Sequence, residues 1–247
     1  MSEEQWSAVD RYITEMLVQP DAALDAAIEA SAAAGLPQIA VAPPQGKLLH
    51  LLATIRGARR ILEIGTLGGY STIWLARALP PGGRLITIEA DEEHAAVATA
   101  NIARAGLAGV VEVRVGAALE TLPRLSAERA GPFDFTFIDA DKPNIPSYFE
   151  WALKLAAPRG LIVVDNVIRD GAIVDAASTD PSVRGVRRLN EMLRTDRRVS
   201  ATTIQTVGSK GYDGFTLAIV RDDTDAANVN IAAPISRGVD SPAMFRD

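Results

Sequence analysis

From Ile61 onward, short apolar runs alternate with stretches of helical spacing. Ile61 to Ile64, Arg84 to Glu89, Val110 to Val115, Phe133 to Ile138 and Gly160 to Val164 have the length and composition of buried strands. Between them, apolar residues recur at helical spacing in Ser71 to Leu79 and in a segment that Asp91 caps, Val97 and Ile102 face inward from, and Gly106 closes. A third such segment runs through Leu125, and Asp180-Pro181 supplies the cap and first-turn proline of a later helix. Regular strand–helix alternation predicts a parallel sheet with helices on both faces. Val199 to Val207 and Phe215 to Val220 then read as two last strands joined by a Gly-rich turn, which predicts one antiparallel pairing. The expectation is an open α/β sheet of seven strands, mostly parallel, with one strand antiparallel.

Ahead of the sheet the pattern is helical. Ser2 and Gln5 have the spacing of a capping box, and Val9, Ile13, Met16 and Leu17 form one apolar stripe. Pro20-Asp21 restarts a second, alanine-rich helix that Gly35 ends. Its acids Asp21, Asp25 and Glu29 recur every four residues, which reads as a solvated face rather than a metal site. Pro37 to Pro44 is a connector, and Gln45 to Leu52 begins a helix leading into the first strand. Beyond Arg221 the periodicity stops. The expected organisation is one domain over 1–221, with N-terminal helices over 1–57 and the sheet core over 58–221, and an extension over 222–247 that is disordered when free.

Composition narrows the partners. The chain has 247 residues, 48% of them hydrophobic, enough for one full core. A net charge of −6 argues against nucleic acid or an anionic membrane as partner. Cysteine is absent, so disulfides, thiolate metal sites and cysteine nucleophiles are excluded. The acidic start and the lack of a long apolar run lead us to expect a cytoplasmic protein. No internal repeat is visible, and His50 and His94 read as ordinary helix residues.

The candidate chemistry lies at the strand ends. Gly65, Gly68 and Gly69 make a strand-to-helix turn of the kind that receives nucleotide-like ligands in open α/β sheets. Their spacing is not the dinucleotide G-x-G-x-x-G, and Glu63 at the strand end would repel a pyrophosphate. An acid there suits a ligand with a cationic end, such as the ammonium and sulfonium of S-adenosyl-L-methionine (SAM). Glu89, closing the next strand, is placed to accept two ribose hydroxyls. Small residues Gly116, Ala117 and Ala118 after the third strand leave room for a flat ring, and fit a tight turn equally well. Asp139 after the fourth strand and Asp165-Asn166 after the fifth offer hard oxygen ligands at the same sheet edge, a set suited to Mg²⁺. An NAD-dependent oxidoreductase and a non-catalytic nucleotide-binding protein are the competing readings.

Four segments carry a resemblance: Ile61 to Ser71, Phe137-Ile138-Asp139-Ala140-Asp141-Lys142, Asp165-Asn166-Val167 and Tyr212-Asp213-Gly214-Phe215-Thr216-Leu217. In this order they resemble the motifs of the cation-dependent O-methyltransferases, the family of the caffeoyl-CoA and catechol enzymes, and most of all its bacterial branch. The likeness runs from about Gln45 to Val220. It implies the Rossmann-like architecture of class I SAM-dependent methyltransferases. It further implies that Glu63, Gly65, Thr66, Gly69, Ser71, Glu89 and the Ala118 backbone hold SAM, with Asp141 near its methionine end and Val41 packed against it. Asp139, Asp165 and Asn166 would hold Mg²⁺, or Mn²⁺ or Ca²⁺ in its place, and Lys142 would act as base beside Asp139. The implied substrate is a phenolic small molecule with two vicinal hydroxyls, and the implied assembly is a homodimer. From the apolar anchors Ile231, Ile235, Val239, Met244 and Phe245 we expect the 222–247 tail to pack on folded surface near the subunit boundary. Asp141 and Asp170 stand where the catechol enzyme has an apolar tryptophan and proline, so that ring clamp is missing. The loop Ile168 to Thr179 is expected to shape the pocket, with Arg169 and Asp170 available to a polar substrate.

Overall fold

The computed structural model describes residues 2–222. The tail expected to pack at a subunit boundary therefore lies almost wholly outside the described residues. Three helices come first, α1 (Glu3–Leu17), α2 (Ala22–Ala33) and α3 (Pro43–Arg56). The core then runs β1 (Arg60–Ile64), α4 (Tyr70–Ala76), β2 (Arg84–Glu89), α5 (Glu92–Arg104), β3 (Val111–Val115), α6 (Ala118–Ala127) and β4 (Phe133–Ile138). It continues with α7 (Ile145–Leu155), β5 (Ala156–Asp165), α8 (Pro181–Thr195), β6 (Val199–Gly208) and β7 (Gly211–Val220). The strands form one sheet in the order β3-β2-β1-β4-β5-β7-β6. Only β7 runs antiparallel to its neighbours β5 and β6.

This is the expected seven-stranded sheet, and two strands are longer than the apolar pattern indicates. β5 starts at Ala156, where its register against β4 shifts between Phe133 and Phe135. β7 starts at Gly211, so the turn after β6 is only Ser209-Lys210. Residues Tyr212, Asp213 and Gly214 break the apolar alternation yet pair with β6, because cross-strand hydrogen bonds do not depend on side-chain polarity.

The central parallel strands β1, β2 and β4 are buried on both faces, which is why they read as continuous apolar runs, whereas β3, expected as a buried strand, is only partly buried because it forms the sheet edge. On one face Leu62, Ile64, Ile88 and Ile162 pack with Leu122, Phe149 and Val186 of the helices. On the other, Ile61, Phe135, Phe137 and Val163 pack with Leu49, Ala53, Ile73 and Leu75. The N-terminal helices thus complete the second face. Asn101 of α5 ties α2 to the glycine turn by donating to the carbonyls of Ala27 and Gly68.

The acids of α2 divide their work. Asp21 caps the helix, accepting from the amides of Ala23 and Leu24, and pairs with Arg77 at 2.5 Å, whereas Asp25 and Glu29 face solvent. Ser2 caps α1 by accepting from the Gln5 amide. The apolar stripe of α1 does not enter the core. Val9, Met16 and Leu17 are more than half exposed, and only Ile13 of the four is half-buried. Among the described residues no helix is long and apolar enough to cross a membrane.

Candidate active site

The glycine turn owes its shape to close contact between two strand ends. Gly65 has φ +99°, and a Cβ there would overlap the carbonyl oxygen of Asp139. Gly65 donates to Ile88 and Asp139 donates to Ile64, so the ends of β1, β2 and β4 are laced together. Gly65→Ala adds positive-φ strain of about 1–3 kcal/mol and overpacking of about 1–3 kcal/mol. We expect it to lower Tm by on the order of 10 °C in a thermal melt; an unchanged Tm would show that the two strand ends are free to part.

Glu63 is fully buried beneath this turn. Its carboxylate accepts from Ser71 at 2.7 Å, Thr72 at 2.5 Å and Thr87 at 2.7 Å. Burial pushes its pKa up to about 7, partly offset by these three hydroxyls. Among the described residues its side-chain partners are these three neutral hydroxyls, with no positive group among them. Glu89 is nearly buried and spans the turn from the other side, accepting from the amides of Thr66 at 3.1 Å and Leu67 at 2.7 Å. Its second oxygen accepts from the Asp91 amide. Thr66 is buried and shares a hydrogen bond with Thr87.

The remaining residues expected at the donor side lie around this turn. Gly69 is the left-handed N-cap of α4, and Ser71 is in that helix's first turn. Ala118 opens α6, whose N-cap Ala117 has no side chain to satisfy the first amides. Val41 is buried in the cluster that also holds Tyr70 and Trp74. Asp141 is exposed and engaged within its own loop, accepting from Asn144 at 2.7 Å and from the Tyr148 hydroxyl.

At the ends of β4 and β5 the acids converge. Lys142 Nζ donates to Asp139 Oδ1 at 2.9 Å, with only 11% of the lysine side chain exposed. Asp165 is buried, and its Oδ1 accepts from the Asn166 amide while its Oδ2 accepts from Gln45 Nε2 at 2.7 Å. Burial first, and then the negative charge of Asp139, raise the Asp165 pKa, while Lys142 opposes the rise. Asn166 sits beside it in a left-handed conformation.

The loop that follows turns through three further left-handed residues, Arg169, Asp170 and Gly171. Asp213 of β7 pins it, one carboxylate oxygen accepting from the amides of Ile168, Arg169 and Gly214. Arg169 lies 3.5 Å from the other oxygen of Asp213, so its charge is engaged by the scaffold, while Asp170 faces solvent. On the far side, Gly185 lets α8 rest on the Lys142 backbone, where any Cβ would overlap the Lys142 carbonyl.

Several of these residues carry no local sequence signal. Gln45 and Gly185 reach the site from distant segments, whereas Asp213 lies in a motif segment that did not disclose its hold on the loop. Thr72 and Thr87 were detectable in principle, because a threonine inside a wholly buried helix or strand needs a polar partner.

The chain and its fold are similar to known proteins. The sequence profile of the family described as O-methyltransferase matches residues 15–220. A catechol O-methyltransferase from Niastella koreensis is 56% identical over 90% of this chain and 100% of its own length. The crystal structure of an O-methyltransferase from Bacillus cereus in complex with SAH superposes with TM-score 0.88 at 55% identity, covering 89% of this chain and 100% of that one. That of an O-methyltransferase of tomaymycin synthesis from Streptomyces achromogenes, in complex with SAM, gives TM-score 0.87 at 56% identity over 90% of this chain and 100% of that one. The chain belongs to the O-methyltransferase family.

Proposed function

We propose that this protein moves a methyl group from SAM to one hydroxyl of a vicinal dihydroxy aromatic small molecule, with a divalent cation, Mg²⁺ or Mn²⁺ or Ca²⁺, as cofactor. The observation that carries the reading is the buried Asp165 beside Asp139 and Lys142, at the sheet edge that also holds Glu63 and Glu89. The relatives named catechol O-methyltransferase and the SAH- and SAM-bound neighbours support it.

On the donor side, Glu63 would face the cationic end of SAM, and Glu89 would take the ribose hydroxyls while keeping its hold on the turn. Gly65, Thr66, Gly69 and Ser71 would line the methionine, with Asp141 at its end and Val41 against its flank. The free amide of Ala118 would meet the adenine edge. SAM supplies a methyl on a sulfonium, already activated for attack.

On the acceptor side, two carboxylates and one amide oxygen form a hard set, and the repulsion raising the Asp165 pKa is what a cation would relieve. Asp139, Asp165 and Asn166 fit as its ligands. The cation supplies a Lewis acid that favours the ionised form of a substrate hydroxyl. Lys142, as the neutral amine, accepts that hydroxyl's proton at Nζ; Asp139 keeps Nζ in place and stabilises the ammonium that results. The new O–C bond forms as the S–C bond breaks, leaving S-adenosylhomocysteine and a protonated lysine.

Production of S-adenosylhomocysteine with catechols, caffeoyl esters and flavonoids, with and without EDTA, tests the reading. Turnover is expected only with a vicinal diol, and EDTA abolishes it. Turnover that ignores EDTA would remove the cation from the mechanism, and no turnover on any diol would remove the substrate class.

The buried Glu63 gives a pH test. Only its ionised form attracts a cationic donor, and its pKa is raised to about 7. SAM affinity should therefore fall as pH drops below about 7, approaching tenfold per unit, and level off above it. Calorimetric titration of Glu63→Gln should show weaker binding without that slope. The same slope in the variant would assign the effect to another group.

We also propose a homodimer. Val9, Tyr12, Met16 and Leu17 on α1, with Leu51 and Ile55 on α3, are 45% to 81% exposed, and exposed large apolar side chains on neighbouring helices suit an association surface. A second copy of the chain is the occupant that the family resemblance favours. Sedimentation should give a dimer for the full chain and a folded monomer for the Tyr12→Glu/Met16→Glu variant. A monomeric wild type would sink the proposal.

A further inference from the structure

We infer that Gln45 is a positioning residue for Asp165, fixing the carboxylate's orientation for the cation; the inference rests on the cation reading above. Gln45 lies in the first turn of α3, remote from every motif segment and 120 residues from Asp165 along the chain. Its Nε2 is nonetheless 2.7 Å from Asp165 Oδ2, and it is the one side-chain donor to Asp165 among the described residues. With the Asn166 amide on Oδ1 at 2.8 Å, both oxygens are held, so the plane of the carboxylate is set by two donors on separate segments. A carboxylate free to rotate would lose that geometry on each opening, and outer hydrogen-bond partners of this kind commonly decide metal affinity.

The backbone beneath Gln45 is fixed as well. Pro43 and Pro44 open the helix, and Gly46 lies so close to the Trp74 indole that a Cβ at 46 would overlap the ring. Trp74 belongs to α4, the helix that leaves the glycine turn. The donor side therefore sets the position of α3, and α3 sets Asp165. The choice of an amide also makes chemical sense. A lysine at 45 could donate the same hydrogen bond, but its charge would neutralise Asp165 and compete with the cation. Glutamine orients the ligand and leaves its negative charge available.

The test is a Mn²⁺ titration of the full chain followed by electron paramagnetic resonance, with Gln45→Met to keep side-chain length without the donor. Gln45→Met should bind Mn²⁺ about 10–100-fold more weakly than wild type. The half-saturating Mg²⁺ concentration for turnover should rise by a similar factor. SAM affinity without metal should stay within about twofold, because no donor-side hydrogen bond is removed. Far-UV circular dichroism checks the fold, and Gln45→Ala stands in if the methionine variant does not fold. A variant that binds Mn²⁺ as tightly as wild type overturns the inference and leaves the cation reading intact. A wild type that binds no Mn²⁺ overturns both. A loss of thermal stability and SAM affinity with Mn²⁺ affinity unchanged would make Gln45 merely structural.

Discussion

Lys142→Ala is expected to lower kcat by about two to four orders of magnitude, the usual range for a lost general base. Among the described residues neither histidine stands in for it. His50 bonds the Trp74 carbonyl and His94 lies by Glu89, so neither histidine reaches Asp139. The loss should be partly recovered at high pH, where the substrate hydroxyl ionises without a base. Lys142→Arg should not rescue, because a guanidinium stays protonated and cannot accept the proton. KM for SAM should hardly move. Unchanged turnover in Lys142→Ala at neutral pH would reduce the lysine to a counter-charge for Asp139.

Asp165→Asn should remove methyl transfer while making the metal-free protein no less stable. The first half follows from the cation site proposed above, which would lose one of its two negative ligands, a larger loss than the about 10–100-fold of an outer hydrogen-bond partner. The second half follows from the sign of the pKa shift. A carboxyl whose folded pKa is raised favours folding at low pH, and that contribution is lost as pH rises from the unfolded value through the raised one. Near pH 8 the charged Asp165 is therefore a burden to the metal-free fold, and a neutral isostere relieves it. Thermal melts of both proteins in EDTA at pH 8 measure this. A marked fall in Tm for Asp165→Asn would mean that the carboxylate serves the scaffold. Retained turnover would mean that it serves neither cation nor catalysis.

The sheet and the acids at its edge were legible because an apolar strand that ends in Glu or Asp states both its burial and its exit point. Ile88-Glu89, Ile138-Asp139 and Val164-Asp165 are such junctions, and parallel register brings them to one edge without further information. What supports those acids was not legible. Gln45, the partner of Asp165, is an ordinary polar residue until the fold delivers it. The apolar pattern starts β7 at Phe215, because Asp213-Gly214 has poor strand propensity; the observed start at Gly211 is held by pairing with β6 and by Asp213 bonding the loop amides. Amphipathicity likewise marked the stripe of α1 but not what would cover it. In one chain that stripe lies mostly uncovered.

The placement of β7 has a consequence for biosynthesis. It is the last strand in sequence, yet it lies between β5 and β6 and pairs Phe215 with Asp165. Chains fold from the N-terminus as they emerge from the ribosome. The glycine turn, with Glu63 and Glu89, can form once β4 is out. β5 must wait with one edge unpaired, open to other strands, until Gly211–Val220 emerges. The two halves of the proposed site thus mature at different times, and translation that stops before Gly211 would leave the glycine turn joined to an unfinished, pairing-prone β5 edge.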